Sequence, residues 1–303
     1  MKLVEQKGSF RKCSEITIPE IFNRRMVTGI ARVDRLVGEG FLPGSIFTLT
    51  GSPGAGKTTF MLQTLEALAK RGYKVGYASG EECVELLAMT CKRIGVSHID
   101  IANLTHIKDV LKATKSLDML IVDSFNSLTS DHKSSRQHEK YCVQELCKAS
   151  KRNECVVGLV LHITKAGTYK GGTIIPHAVD SVMHLHRDMV EGQPDNYVSL
   201  SVTKNRFGPT SETQLMMTSA GFDWDAKPPE DKPENQLAPK SARKQEDVKR
   251  LLEQKQIDLK KASEILEGNE QRAKYLLWQL TKAGQFTKSG RGDTTVWTRK
   301  VKA

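Results

Sequence analysis

The pattern of apolar and polar positions divides this chain into four stretches. From Thr28 to about Asp225, short runs rich in β-branched residues alternate with stretches whose apolar residues recur at helical spacing. The runs Ile46–Thr50, Val75–Ala78, Met119–Val122, Val156–Leu161, Ser181–His186 and Tyr197–Thr203 predict strands. Thr58–Arg71, Cys83–Ile94, Ile107–Lys115 and His138–Lys151 predict helices. Near-continuous apolar runs mark strands covered on both faces. Residues 28–225 therefore read as an α/β domain with a mainly parallel central sheet.

The flanks read differently. Residues 1–27 form a polar arm, with a short extended piece predicted at Glu15–Ile21. Residues 226–244 include the charged, Pro-rich stretch Lys227–Asn235, which has almost nothing to bury and reads as a linker. In 245–303, Val248, Leu251 and Leu252 share one face of a predicted helix, Gln245–Lys255. Leu259–Leu266 predicts a second helix. Asn269 can cap a third, Glu270–Ala283, with Ala273, Leu276, Leu277 and Leu280 at helical spacing. Gln285–Arg299 then reads as two strands around a basic, Gly-rich turn. Three short helices followed by a hairpin look like a small winged helix-turn-helix, with Trp278 and Trp297 in its core.

Composition narrows the partners. Net charge is +11, and residues 240–303 hold 16 Lys and Arg against 8 Asp and Glu. A basic terminal module points to a polyanion, nucleic acid before an anionic membrane surface. No apolar run approaches the ~20 residues that span a bilayer, and the first residues lack a signal-peptide core, so cytoplasmic residence is expected. The six cysteines show no C-x-x-C pair and no paired spacing with His, so free thiols are expected in place of a zinc site.

The chemistry starts at Gly51-Ser52-Pro53-Gly54-Ala55-Gly56-Lys57-Thr58, followed by Thr59. This is a complete phosphate-binding P-loop between a predicted strand and a predicted helix. Its glycines let successive backbone N–H groups cradle a triphosphate, Lys57 reaches the β- and γ-phosphates, and the Thr58 hydroxyl ligates Mg²⁺. ATP and Mg²⁺ are the expected cofactors. The apolar run 119–122 ends in Asp123, which can hold Mg²⁺ through water. The run 75–78 delivers Glu81 and Glu82 at the sheet edge where ligands sit. Glu81 is the favoured catalytic base, and Glu82 can equally be a helix N-terminal charge. His162 follows the strand 156–161 and is a candidate γ-phosphate sensor. Two polar basic loops are candidates for a nucleic-acid backbone: Ser130–Lys140 with Lys133, Arg136 and Lys140, and Thr164–Thr173 with Lys165 and Lys170. In the tail, Arg272, Lys274, Lys282, Lys288, Arg291 and Arg299 are candidate phosphate contacts.

Taken in order, the motifs resemble one family. Lys204-Asn205-Arg206-Phe207-Gly208 looks like a signature of bacterial RadA/Sms proteins. Thr28-Gly29-Ile30 with Val33-Asp34-Arg35-Leu36-Val37-Gly38, Leu42-Pro43-Gly44-Ser45, Ser79-Gly80-Glu81-Glu82, His162-Ile163-Thr164-Lys165 and His177-Ala178-Val179-Asp180 match in sequence. The resemblance covers 28–225. It implies a RecA-like P-loop NTPase core forming hexameric rings on single-stranded DNA, akin to DnaB helicases, with ATP between subunits. Lys204 and Arg206 would then reach the neighbour's γ-phosphate, where a guanidinium stabilises transition-state charge. Read without the family, the two are surface charges. The family's four-cysteine zinc module and protease-like domain are not matched, and position 39 is Glu where the family prefers glycines.

The resulting expectation is a DNA-dependent ATPase, a RadA/DnaB-like helicase or branch-migration translocase in recombination, repair or replication. The tail would add a tethered second site, for duplex DNA among other partners. Two rivals stand beside it: a RecA-like strand-exchange filament, and a non-motor ATP switch whose tail reads a duplex site as a regulator or initiator.

Overall fold

A computed structural model describes residues 10, 12–131, 135–162, 174–190, 193–226, 247–266, 273, 276, 277, 280, 281, 285–290 and 295–299, with backbone alone at 135, 136, 162, 188–190 and 193–195. The chain divides into two compact units, Met1–Pro228 and Pro229–Ala303.

The first unit is built on one nine-stranded sheet. Its elements run α1 (Ala31–Leu36), β1 (Ile46–Gly51), α2 (Lys57–Ala69), β2 (Val75–Ser79), α3 (Val84–Arg93), β3 (Asp100–Asn103), α4 (Ile107–Ala113) and β4 (Met119–Asp123). There follow α5 (Ser135–Asn153), β5 (Val156–His162), α6 (Ile174–Ala178), β6 (Ser181–Val190), β7 (Gln193–Asn205), β8 (Glu212–Thr218) and β9 (Gly221–Asp223). The strand order is β3-β2-β4-β5-β1-β6-β7-β8-β9. Strands β3 to β6 in that order are parallel, and β7, β8 and β9 add on antiparallel. All six parallel strands therefore end on one edge.

Alternate side chains of the buried strands serve opposite layers, as a pleated strand requires. Met119 and Ile121 pack with Phe60, Leu65 and Leu68 of α2 and Leu87 of α3, whereas Leu120 and Val122 pack with Val110 of α4 and Cys142 and Leu146 of α5. This is the expected α/β sandwich.

Of the extended piece expected at Glu15–Ile21, extended backbone is found at Ile16, and 3₁₀ turns at Cys13–Glu15 and Glu20–Asn23 bound it on either side. Pro19 opens the second turn, its carbonyl accepting from the Phe22 N–H at 3.0 Å.

In the second unit, residues 247–252 are helical. Then come β10 (Gln256–Asp258), α7 (Leu259–Ile265), helical residues between 273 and 281, β11 (Phe286–Ser289) and β12 (Val296–Arg299). The three strands form an antiparallel sheet ordered β10-β12-β11. Asp258 caps α7, its carboxylate accepting from the Lys261 N–H at 2.8 Å. Leu251, Ile257, Ala262, Leu276, Leu277, Leu280, Phe286 and Trp297 make one core. Trp278 and most of the linker, 227–244, lie outside the described residues.

Candidate nucleotide site

The carboxyl ends of the parallel strands bound a cleft of about 450 Å³. β1 leads into the loop and α2 leaves it, so backbone N–H groups of the first helical turn face the cleft. Gly54 and Gly56 hold φ of 77° and 93°. Gly56 has a second constraint: a Cβ there would lie 2.0 Å from the Met217 methyl carbon. Pro53, Gly54, Gly56, Lys57, Thr58 and Thr59 line the cleft. Gly51, Ser52 and Ala55 support the loop, with the Ala55 N–H donating to the Ser52 carbonyl at 3.2 Å.

The Lys57 ammonium donates to the carbonyls of Gly51 at 2.9 Å and Ser52 at 3.1 Å. Burial pushes its pKa down, while the Asp123 and Glu81 carboxylates oppose that shift. The Thr58 hydroxyl donates to Asp123 Oδ2 at 3.0 Å, so the two expected Mg²⁺ holders already face each other. The buried Tyr77 hydroxyl donates to the same Asp123 oxygen. Burial first, then Asp123, drives the Tyr77 pKa well above its ordinary value, so it stays a donor. Register explains this meeting: β2 pairs β4 with Ser79 opposite Asp123 and Tyr77 opposite Ile121.

Glu81 and Glu82 also line the cleft. Glu81 Oε1 accepts from the Ser124 hydroxyl at 2.5 Å, which fixes it beside Asp123. The Glu82 N–H donates to the Ser79 hydroxyl at 3.0 Å, so its backbone is part of the turn into α3. The backbone of His162 ends β5 directly opposite Gly51, beside the loop, and its side chain lies outside the description.

Lys204 and Arg206 lie elsewhere. Lys204 pairs with Val182 near the start of β6, which puts it at the amino edge of the parallel strands. The Lys204 ammonium donates to the carbonyls of Pro176 at 2.9 Å, His177 at 3.3 Å and Val179 at 2.6 Å. Burial, then the Arg206 charge, lowers its pKa. Arg206 Nη1 lies 3.0 Å from Asp180 Oδ1, and the other Asp180 oxygen accepts from the Ile46 N–H at 3.1 Å. The next residues pack on the turn after α1: Cβ atoms at Gly208 and Gly38 would lie 2.8 Å from the Gly38 Cα and 2.9 Å from the Phe207 carbonyl. Arg25 ties the two segments, donating to Phe207 O at 2.7 Å and Gly40 O at 3.2 Å. Within that turn Glu39 holds a φ of 67° between Gly38 at 90° and Gly40 at 113°. A left-handed backbone is why glycine suits position 39.

Residues 25–220 match the family of unknown function DUF7125. The chain belongs to that family. Its core is also similar to the DNA repair protein RadA of Brucella abortus, 34% identical over 65% of this chain and 44% of that one. The RadA of Chlamydia pneumoniae is 36% identical over 62% and 42%. The chain thus spans less than half the length of these curated relatives. Among solved structures, a DnaB-like replicative helicase superposes at a TM-score of 0.59 with 14% identity, over 66% of this chain and 63% of that one. A KaiC-like protein of Pyrococcus horikoshii does so at 0.56 with 19% identity, over 66% and 97%. The DUF7125 core therefore has the RecA-like P-loop ATPase fold, as expected.

Of the candidate DNA contacts, Lys133, Lys165, Lys170, Arg272, Lys274, Lys282 and Arg291 lie outside the described residues. Arg136 is described by backbone alone, in the first turn of α5. Lys288 on β11 is exposed, its ammonium 5.6 Å from the centre of the Trp297 ring, and Arg299 on β12 is exposed. Among the described residues, no group of three or more His, Cys, Asp or Glu could hold a metal ion, and no helix is long and apolar enough to cross a membrane. The described cysteines are free thiols. Sequence reasoning missed Tyr77, Ser124, Arg93, Met217, Thr218 and Gly221 at the cleft. Tyr77 carried a signal, a phenol in a strand otherwise made of small and apolar residues.

Proposed function

We propose that this chain is an ATP-driven motor that assembles as a hexameric ring on single-stranded DNA and remodels DNA during recombination, repair or replication. The observation that carries the reading is the division of the ATPase residues between two sheet edges. Lys57, Thr58, Glu81 and Asp123 converge on one cleft, while Lys204 and Arg206 sit at the opposite edge. Residues so placed can serve a nucleotide only in an adjacent copy. The RadA likeness of the core supports the same assignment.

In this reading the loop N–H groups and Lys57 bind and orient the triphosphate. Glu81, held by Ser124, takes the proton of the attacking water. The neighbour's Arg206 meets the charge that develops on the γ-phosphoryl oxygens. The Thr58 hydroxyl and, through water, the Asp123 carboxylate suit Mg²⁺, a hard ion that prefers one or two oxygen ligands of the protein plus phosphates and waters. Bound Mg²⁺ would neutralise phosphate charge. Tyr77 keeps the Asp123 carboxylate aimed at Thr58. His162 is the proposed γ-phosphate sensor, and Lys133, Arg136, Lys165 and Lys170 are the proposed contacts to single-stranded DNA.

The second unit's order of helix, strand, two helices and two strands supports a winged helix. Arg272, Lys274, Lys288, Arg291 and Arg299 are its proposed duplex contacts. Tethering such a module raises the effective concentration of a second DNA site to roughly the mM range.

The test is steady-state ATP hydrolysis with and without single-stranded DNA, beside electron micrographs of the same samples. Strong stimulation with closed rings is expected. Filaments would favour a strand-exchange protein, and slow, DNA-insensitive hydrolysis would favour the nucleotide-set switch.

A further inference from the structure

The cleft continues past the residues that handle phosphate. Its remaining wall is Arg93, Met217, Thr218 and Gly221. Arg93 ends α3 and is exposed, and one of its guanidinium nitrogens donates to the Ser219 carbonyl at 2.7 Å. A guanidinium has five N–H donors and two flat faces, so one such bond leaves a face and further donors for a ligand.

The turn between β8 and β9 is held firmly. The Thr218 hydroxyl donates to the Gly221 carbonyl at 2.8 Å and accepts from the Ala220 N–H at 3.2 Å. Gln63 of α2 grips the start of β9, accepting from the Phe222 N–H at 2.7 Å and donating to its carbonyl at 3.4 Å. Beneath it, Phe222 stacks on Trp224 at 5.6 Å between centroids, and both meet Phe60 of α2 edge-on at 5.9 Å. The turn is thus fixed to α2, the helix that begins with Lys57 and Thr58. Met217 touches the P-loop itself, at Gly56.

A nucleoside triphosphate is chemically two-ended. One end is a polyanion, and the P-loop side accounts for it. The other is a ribose with a flat heteroaromatic base. A polarisable thioether and a planar cation are side chains that take the face of such a ring. Backbone groups of a fixed turn can meet its polar edges.

We propose that Arg93 and the turn Met217–Gly221 form the nucleoside subsite of this cleft, with the base against the Met217 thioether and the Arg93 guanidinium. The proposal rests on the reading that the cleft binds ATP, and its test separates the two. Calorimetry on the full chain, with Mg²⁺ present, compares affinity for ATP with affinity for inorganic tripolyphosphate, which has no nucleoside. Arg93→Ala and Met217→Ala should each weaken ATP about tenfold, and leave tripolyphosphate affinity within about twofold. Unchanged tripolyphosphate binding also shows that the variant is folded. Lys57→Ala should weaken both ligands.

Full ATP affinity in Arg93→Ala would overturn the subsite, with the P-loop assignment standing if Lys57→Ala still weakens both ligands. Equal losses of ATP and tripolyphosphate in a folded Arg93→Ala would also overturn it, since Arg93 would then serve the phosphates. Retention of both ligands by Lys57→Ala would instead sink the ATP-site reading.

Discussion

The two edges of the central sheet use their charges in contrasting ways. At the carboxyl edge, Lys57, Thr58, Glu81 and Asp123 point into one cleft and contact one another or their supports. At the amino edge, Lys204 and Arg206 are engaged by their own chain. The first edge gathers its groups within a single copy. In the proposed assembly the second edge would serve the nucleotide of another copy. The two cations there also differ. Lys204 meets three carbonyls, which matches the three donors of an ammonium. Arg206 is 49% exposed and bound mainly by Asp180, with donors to spare. Arg206 is therefore the better group to reach across an interface, and Lys204 the better anchor.

The largest effect should come from the cleft. Lys57→Ala should cut hydrolysis by about 10³-fold or more, with the far-ultraviolet spectrum unchanged; surviving hydrolysis would place the active site elsewhere. Next, Arg206→Ala should lower kcat by roughly 10²–10³-fold while ATP affinity holds. Lys204→Ala should do less to kcat and cost about 1–2 kcal/mol in urea unfolding, because it leaves carbonyls at the end of α6 without their donor. If Lys204→Ala matched Arg206→Ala in kcat at unchanged stability, the contrast between them would fail.

Gly208→Ala probes the backbone beneath Arg206. Its Cβ would stand 2.8 Å from the Gly38 Cα, backbone that cannot swing aside. A loss of about 1–3 kcal/mol is expected, with kcat falling as the segment shifts. The smallest effect belongs to Glu39→Gly, which relieves a left-handed residue at a cost in chain entropy. A gain of roughly 0.5 kcal/mol in the free energy of denaturant unfolding is expected. A loss would mean that the Glu39 side chain matters more than its backbone.

What was legible in the sequence follows from what each element asks of its residues. Strands β1, β2, β4 and β5 are buried on both faces and read as apolar runs. Strands toward the rims of the sheet do not: the edge strand β3 is Asp-Ile-Ala-Asn with none of the four buried, and β8, next to the other edge, carries mostly half-exposed residues. The P-loop was legible because its backbone geometry demands glycines at fixed spacing. Tyr77 and Ser124 were not, because their contacts depend on the register of β2 beside β4. Arg93 and Met217 come from the end of a helix and the end of a distant strand, and only the fold brings them together. The Lys-Asn-Arg-Phe-Gly motif stands out in the sequence as a family signature with two cations, whereas the packing of its glycine and phenylalanine carbonyl on the Gly38–Gly40 turn depends on the fold.

The most direct test of the central claim mixes two inactive proteins, Arg206→Ala and Glu81→Gln, and measures steady-state ATP hydrolysis as the ratio is varied, with co-assembly confirmed. Where an Arg206→Ala subunit supplies the cleft and a Glu81→Gln subunit supplies the arginine, every catalytic group is present. Hydrolysis should therefore rise above that of either protein alone and peak at intermediate ratios. A mixed assembly that stays as inactive as its parents at every ratio would contradict a site shared between two copies.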